Sequence, residues 1–340
     1  MPAVGDVLRK LNPWHKDTHP PPPPITTSFA ALLIAAYALS YFLPFYLSPK
    51  TRPSPTISRD SPTVIRARIR SVTLSCLLCT ATTYVVLTRP GVGDSTVREA
   101  LHFLGLWPVG AWDACRVLGL TMVLFAGPLF SYFVVEMGWQ EWARLAPVRE
   151  VWEEWTTWRN IFAGPVTEEI LFRSASIPLM LLSQSPLKQT IFLTPILFGL
   201  AHVHHFYEFR LVQPQVPATA ALLRSLFQFA YTTVFGAYAT FLYIRTGSLL
   251  AVCAVHAFCN CMGLPQVWGR VEPPVPVLAG GDTNGPHTKQ DGGAGGRPSI
   301  LWTVAYYVLL VGGAVVWWRN LWALSESENG LVPSSAFSKV

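Results

Sequence analysis

Charge is what this 340-residue sequence has least of: 13% of its residues are Asp, Glu, Lys or Arg, about half of the ~25% found in an ordinary soluble domain. Apolar residues make up 51%, and mean hydropathy is +0.35. A soluble chain needs a charged surface around its core, and this one lacks the residues to make it. That excludes a soluble enzyme, a nucleic-acid-binding domain and a disordered chain. Alternating barrel strands are also absent, as is any 20–50-residue repeat. Cysteine is sparse, at positions 76, 79, 115, 253, 259 and 261. Cys76 and Cys79 form a CxxC without a His or second Cys pair beside it, so they read as small hydrophobes. The class left is a polytopic membrane protein. Its apolar backbone is satisfied in lipid by an all-α helical bundle.

The net charge of +6 does not point to nucleic acid, because of where the cations lie. Lys50, Arg52, Arg59, Arg66, Arg68 and Arg70 face a single acid, Asp60, between the first two apolar runs. Such a block reads as a cytoplasmic loop, 48–71, facing anionic lipid. Charge-free runs cover 29–47, 72–88, 117–135, 226–244 and 300–318, each near the ~20 residues that span a bilayer. Runs 161–185, 189–203 and 249–264 are apolar but carry polar residues. The expectation is about eight transmembrane helices in a single domain, 28–318. A flexible proline-rich arm precedes it at 1–27, a Gly/Pro-rich flexible loop interrupts it at 265–299, and a polar tail follows at 319–340. The first span is too long, and its proline-rich lead too unlike a charged n-region, for a cleaved signal peptide.

Ionisable groups inside a span cost roughly 2.5–3.5 kcal/mol each on insertion scales. Glu168, Glu169, Arg173, His202 and His256 nevertheless concentrate in the three impure runs, with Asn260 beside them. With loop 48–71 in the cytosol, the fourth helix enters near Arg159, and Glu168 lies roughly 13 Å in at helical rise. His202 and His256 fall in the same half of the membrane. Glu169 and Arg173 are i and i+4 in the acid-first order that favours an ion pair. Glu168 is about 140° around the helix from Arg173, so its partners come from other helices, His202 and His256. His256 and Asn260 share a face at i and i+4. A carboxylate beside a histidine in a partly dehydrated cavity deprotonates water, and facing donors stabilise an oxyanion. Those are the parts for amide hydrolysis. Pro165 removes a helix hydrogen bond and opens the backbone around residue 161.

The same residues serve other readings. Glu168, His202 and His256 offer a three-ligand metal site with an open position. Cys259 offers a thiol, though in an apolar helix that suppresses the thiolate. A structural hydrogen-bonding role, a non-catalytic scaffold and a proton- or ion-coupled transporter also use such groups. Lack of an inverted repeat counts against transport.

Glu168-Glu169-Ile170-Leu171-Phe172-Arg173 resembles an EExxxR motif, Phe198-Gly199-Leu200-Ala201-His202 an FxxxH motif, and His256-Ala257-Phe258-Cys259-Asn260 an HxxxN motif. In this order they resemble the type II CAAX prenyl endopeptidases, in particular their Ras-converting branch, over roughly residues 117–265. The resemblance implies an eight-helix, multi-pass enzyme of the endoplasmic reticulum membrane with its site open to the cytosol. It would remove the last three residues after a farnesylated or geranylgeranylated cysteine in CAAX proteins such as Ras-like small GTPases. By motif position, Glu168 is the general base and activates water with His202. His256 and Asn260 form the oxyanion site, and Glu169 and Arg173 support them. The implied mechanism uses no metal and no cofactor, and the implied partners are prenylated proteins and membrane lipid, with no nucleic acid. The substrate's free carboxylate calls for a cation at the cytosolic mouth, and Arg210 and Arg224 are expected to be near it.

Overall fold

Thr26 is the N-cap of the first helix. Its side chain accepts a hydrogen bond from the Phe29 amide at 3.1 Å, which caps one of the orphan donors of the helix Thr27–Phe42. The computed structural model describes residues 22–272 and 300–339. Most of the expected arm 1–27 and of the expected loop 265–299 therefore lies outside the described residues. Among the described residues the secondary structure is entirely helical, as the all-α expectation requires.

The count of eight spans is not reproduced. Among the described residues, three helical stretches are long and apolar enough to cross a membrane: Thr27–Leu47, Pro62–Thr88 and Ile300–Ser325. A fourth is possible only if Ala111–Leu124 and Ala126–Val135, bent by 80°, are taken as one broken span. The run 161–185 is divided among π-helical and α-helical turns, Arg159–Ala163, Gly164–Glu169, Ile170–Ala175 and Ile177–Leu182. Ala218–Thr246 is 29 residues long, but its Gln, Thr and Tyr residues hold down its hydropathy. Leu249–Met262 has 14 residues, about 21 Å at helical rise. Chemistry-bearing segments are thus broken, polar or short, while the uninterrupted apolar helices carry none of the motif residues.

Two further boundaries move. The second helix starts at Pro62, so Arg66, Arg68 and Arg70 stand on helix and the basic loop ends near residue 61. Proline at the first helical turn explains that start, since its missing N–H would have no partner there anyway. The last helix continues to Ser325, and the segment beyond it is docked. Leu331 N–H donates to Ile244 O at 2.8 Å, and Phe337 lies 5.8 Å from Phe241 and 6.0 Å from Trp322.

Contacts divide the chain into two units. The smaller draws on 119–149 and 262–321; Val135, Val271 and Tyr306 are buried together in it. The larger draws on 1–118, 150–261 and 322–340 and contains every site residue. In it, Ala30, Ile34, Tyr37 and Ala38 of the first helix and Cys76 and Cys79 of the second pack on Leu171, Phe172, Ala175 and Leu179. Polar side chains lock this packing: Thr83 donates to Ala175 O at 2.7 Å, and Tyr37 pairs with Thr83 at 3.0 Å. Both cysteines are free and buried, in keeping with their reading as small hydrophobes. Helices Leu187–Ala201 and Ala218–Thr246 approach closely at two glycines. A Cβ on Gly199 would meet Thr233 Oγ1 at 2.2 Å, and one on Gly236 would meet Pro195 Cβ at 2.8 Å.

Candidate active site

The first motif lies where the helix changes register. The Gly164 amide donates to Arg159 O, an i→i+5 bond, and in that register the Asn160 carbonyl would look to residue 165. That residue is proline and has no N–H. The opening expected around residue 161 is therefore displaced by one, to Asn160. Its carbonyl is taken up by Asn260, whose Nδ2 donates to it at 2.9 Å. The third motif's asparagine thus closes a gap that the first motif's proline creates, and one of its two N–H groups remains uncommitted to that bond.

The two glutamates end the α-helical turn Gly164–Glu169, and as consecutive helical residues they point about 100° apart. Glu169 is fully buried. Its Oε1 accepts from Arg173 at 3.0 Å and from His256 Nδ1 at 2.6 Å. The i,i+4 pair expected from spacing is present, but it is not only structural, because the same oxygen orients a site histidine. Arg173 also donates to Gly236 O at 3.3 Å, and its guanidinium lies 4.6 Å from the Phe198 ring centre. The buried cation is thus held by a carboxylate, a carbonyl and an aromatic face, although its Nε has no hydrogen-bond partner among the described residues.

Glu168 faces the histidines. Its Oε2 is 4.0 Å from His202 Nε2 and 3.8 Å from His256 Nε2. His202 Nδ1 is 2.8 Å from Phe198 O; a carbonyl only accepts, so this nitrogen carries the proton. His256 Nδ1 likewise donates to Glu169. Both imidazoles therefore turn Nε2 toward Glu168, at separations that leave room for one bridging oxygen rather than direct bonds. Glu168, His202 and His256, which the sequence pattern expects at one site, stand together in the structure. Asn260 stands at the rim on Asn160 instead of against the trio.

Phe198, the first residue of FxxxH, is the hub of this arrangement. Its ring is 5.0 Å from Phe172, 4.7 Å from His202 and 6.3 Å from His256. Phe235, 4.6 Å from His256, was not singled out by sequence, since it lies in a charge-free run outside the motifs. Gly236 and Tyr41 were missed for the same reason; Tyr41 OH pairs with Thr167 at 3.2 Å, one residue from Glu168.

Beyond the second motif, His204, His205 and Glu208 bring their ligand atoms within 4.8 Å of one another. This cluster does not suit a cation. Glu208 pairs with Arg68 and, at 3.2 Å, with Arg59, and the His204 and His205 Nδ1 atoms bond Ala201 O and Glu208 at 2.5 and 3.1 Å. Burial opposes ionisation of Glu208, but the His205 hydrogen bond and the Arg68 guanidinium outweigh it and hold the carboxyl below its usual range. Arg210 and Arg224, expected near the mouth, are engaged elsewhere: Arg210 donates to Val216 O, and Arg224 lies 4.5 Å from the Phe209 ring centre.

The family described as "Type II CAAX prenyl endopeptidase Rce1-like" matches residues 150–262, the stretch that carries all three motifs. "Probable CAAX prenyl protease 2" of Schizosaccharomyces pombe is 36% identical over 231 residues, covering 68% of this chain and 79% of the relative. "CAAX prenyl protease 2" of Homo sapiens is 37% identical over 239 residues, 66% of this chain and 69% of its own. The Arabidopsis thaliana protein of the same name is 34% identical over 209 residues, 52% and 67% respectively. No solved structure matches this chain. With three relatives above 30% identity and covered over two thirds or more of their length, the motif-bearing helices described above belong to a member of the type II CAAX prenyl endopeptidase family.

Proposed function

We propose that this multi-pass membrane protein is an endopeptidase that removes the C-terminal tripeptide from prenylated CAAX proteins, with Glu168 as general base. The observation that carries the mechanism is the three-sided arrangement of Glu168 Oε2 and the two Nε2 atoms at 3.8 and 4.0 Å. A water in that space donates one hydrogen to Glu168 and the other to His202. Glu168 takes the proton as the oxygen attacks the carbonyl carbon on the amino side of the scissile bond. His256, polarised through Nδ1 by Glu169, presents an Nε2 proton to the developing oxyanion when it is protonated. The spare Asn260 N–H supplies a second donor. Glu168 then returns its proton to the leaving amine, so water is consumed and no other group is changed. Arg173 holds the Glu169 carboxylate in place.

The finer placement follows from chemistry. A prenyl chain already dissolved in lipid gains little on entering the protein, so selection rests on shape and on the peptide end. Substrates of this kind include Ras-like small GTPases, and the site opens to the cytosolic face of the endoplasmic reticulum, on the side of the basic segment. Tripeptide release from a prenylated CAAX peptide, compared with its unprenylated twin and with and without chelator, tests the reading. Release from the prenylated peptide alone, indifferent to chelator, is expected. Chelator-sensitive cleavage would overturn the metal-free mechanism, and no cleavage by folded protein would overturn the assignment.

A further inference from the structure

The basic segment 48–61 reaches over both chemistry-bearing elements through two adjacent residues. Asp60 Oδ1 accepts from Arg159 NH1 at 2.7 Å, at the start of the turn that leads to Glu168, and lies 3.7 Å from Arg59 Nε. Arg59 NH1 is 3.4 Å from His205 Nδ1, and the His205 ring is 6.0 Å from that of His202. A single carboxylate therefore sits between two guanidinium groups, one tied to each side of the site. The Asp60 and Arg59 side chains are 50% and 41% exposed, whereas the Glu208 carboxylate that anchors Arg59 from below is buried. Arg68, also on Glu208, adds a further positive charge.

We infer that Arg59 and Arg159 form the receptor for the substrate's C-terminal carboxylate, with Asp60 holding the place of that carboxylate when the site is empty. The inference rests on the tripeptide-releasing endopeptidase reading above. Its chemistry is that of guanidinium–carboxylate pairing, which is planar, charge-assisted and directional. Its geometry is one of length. Arg159 and Glu168 are separated by about 13 Å of helical rise, and an extended tripeptide spans about 10 Å, so a chain cleaved at Glu168 places its end within reach of an arginine side chain. A fixed anion receptor at that distance makes the enzyme count residues from the free terminus, which explains release of three rather than two or four. Exchange of Asp60 for the substrate carboxylate leaves the number of ion pairs unchanged, so the receptor need not stand open and unpaired.

The test compares prenylated peptides ending in a free carboxylate or in an amide, on the full-length protein in nanodiscs. Wild type is expected to show a KM about tenfold lower for the acid. Arg59→Gln and Arg159→Gln are expected to bring the acid-to-amide KM ratio close to one, with the loss falling on KM rather than kcat, and Arg159→Lys to restore part of it. Asp60→Asn is expected to act in the opposite direction and lower KM for the acid. A purely structural strap would raise KM in all three or in none, and either pattern overturns the receptor. A KM ratio that follows the anionic lipid content of the nanodisc instead of the peptide terminus would reassign the arginines to lipid phosphate and also overturn it. Cleavage by wild type with an unchanged ratio in both arginine variants defeats only this inference; no cleavage by wild type defeats the function it rests on.

Discussion

Glu169 is a single buried side chain with two obligations, charge compensation of Arg173 and orientation of His256. Those obligations separate experimentally. Removing one partner of a buried pair leaves an uncompensated charge and typically costs about 3–5 kcal/mol, whereas replacing both with apolar residues of similar volume is often neutral. Glu169→Gln is accordingly expected to lower the thermal midpoint in detergent and to abolish most activity. The double variant Glu169→Leu with Arg173→Met is expected to regain stability while staying inactive, because His256 has lost the acceptor on Nδ1. Recovery of activity along with stability would mean that orientation of His256 contributes nothing. Spacing alone made the Glu169–Arg173 pair legible. It could not show the third member, because His256 is 87 residues away in sequence and only packing brings it to the same oxygen.

Elements explain why the motifs were easier to read than the helices that carry them. Charge segregation and i,i+4 spacing are local, so Glu168, His202 and His256 emerged from the sequence together. Span counting assumes regular helices, and the count of eight is not reproduced where Pro165, π-helical turns and the 80° bend interrupt them. At the first of these breaks a hydrogen bond from another element, Asn260 on the Asn160 carbonyl, takes up the freed group, which a hydropathy run does not report. Close helix approach is a second feature beyond the motif pattern. In membranes small residues let backbones meet, and Gly199 and Gly236 do so between Leu187–Ala201 and Ala218–Thr246. Gly199→Ala and Gly236→Ala are each expected to destabilise by about 1–3 kcal/mol through overpacking, read as a lowered thermal midpoint. Gly312→Ala, with nothing within 4 Å of its added Cβ, serves as the comparison. Equal midpoints in all three would contradict the packing described.

At the scale of the molecule, the larger unit is held at one end by the Arg59–Glu208–Arg68 cluster and at another by the docked C-terminal segment around Arg245 and Phe337. Composition presents the basic residues as a lipid-facing loop, and it cannot reveal that Glu208, 140 residues from Arg68, pairs with Arg59 and Arg68 among them. The cluster gives stability a pH dependence with a definite sign. A carboxyl held below its usual range in the fold contributes stability that is complete above the ordinary value, near pH ~4.3, and is lost progressively as pH falls below it. The midpoint difference between wild type and Glu208→Gln is expected to be constant from about pH 6 to about pH 8, above the ordinary carboxyl value of ~4.3, and to shrink on acidification below it. A difference that grew toward low pH would contradict the sign.

The central claim is that Glu168 is the base. It is tested most directly by the single-turnover rate of tripeptide release in Glu168→Gln, an isosteric change at a side chain that stays 3.8 and 4.0 Å from two histidines. General-base catalysis contributes about 10²–10⁴-fold. A loss of that size, with prenyl-peptide binding and thermal midpoint retained, is the result the account predicts. Release at the wild-type rate from the folded variant would contradict it.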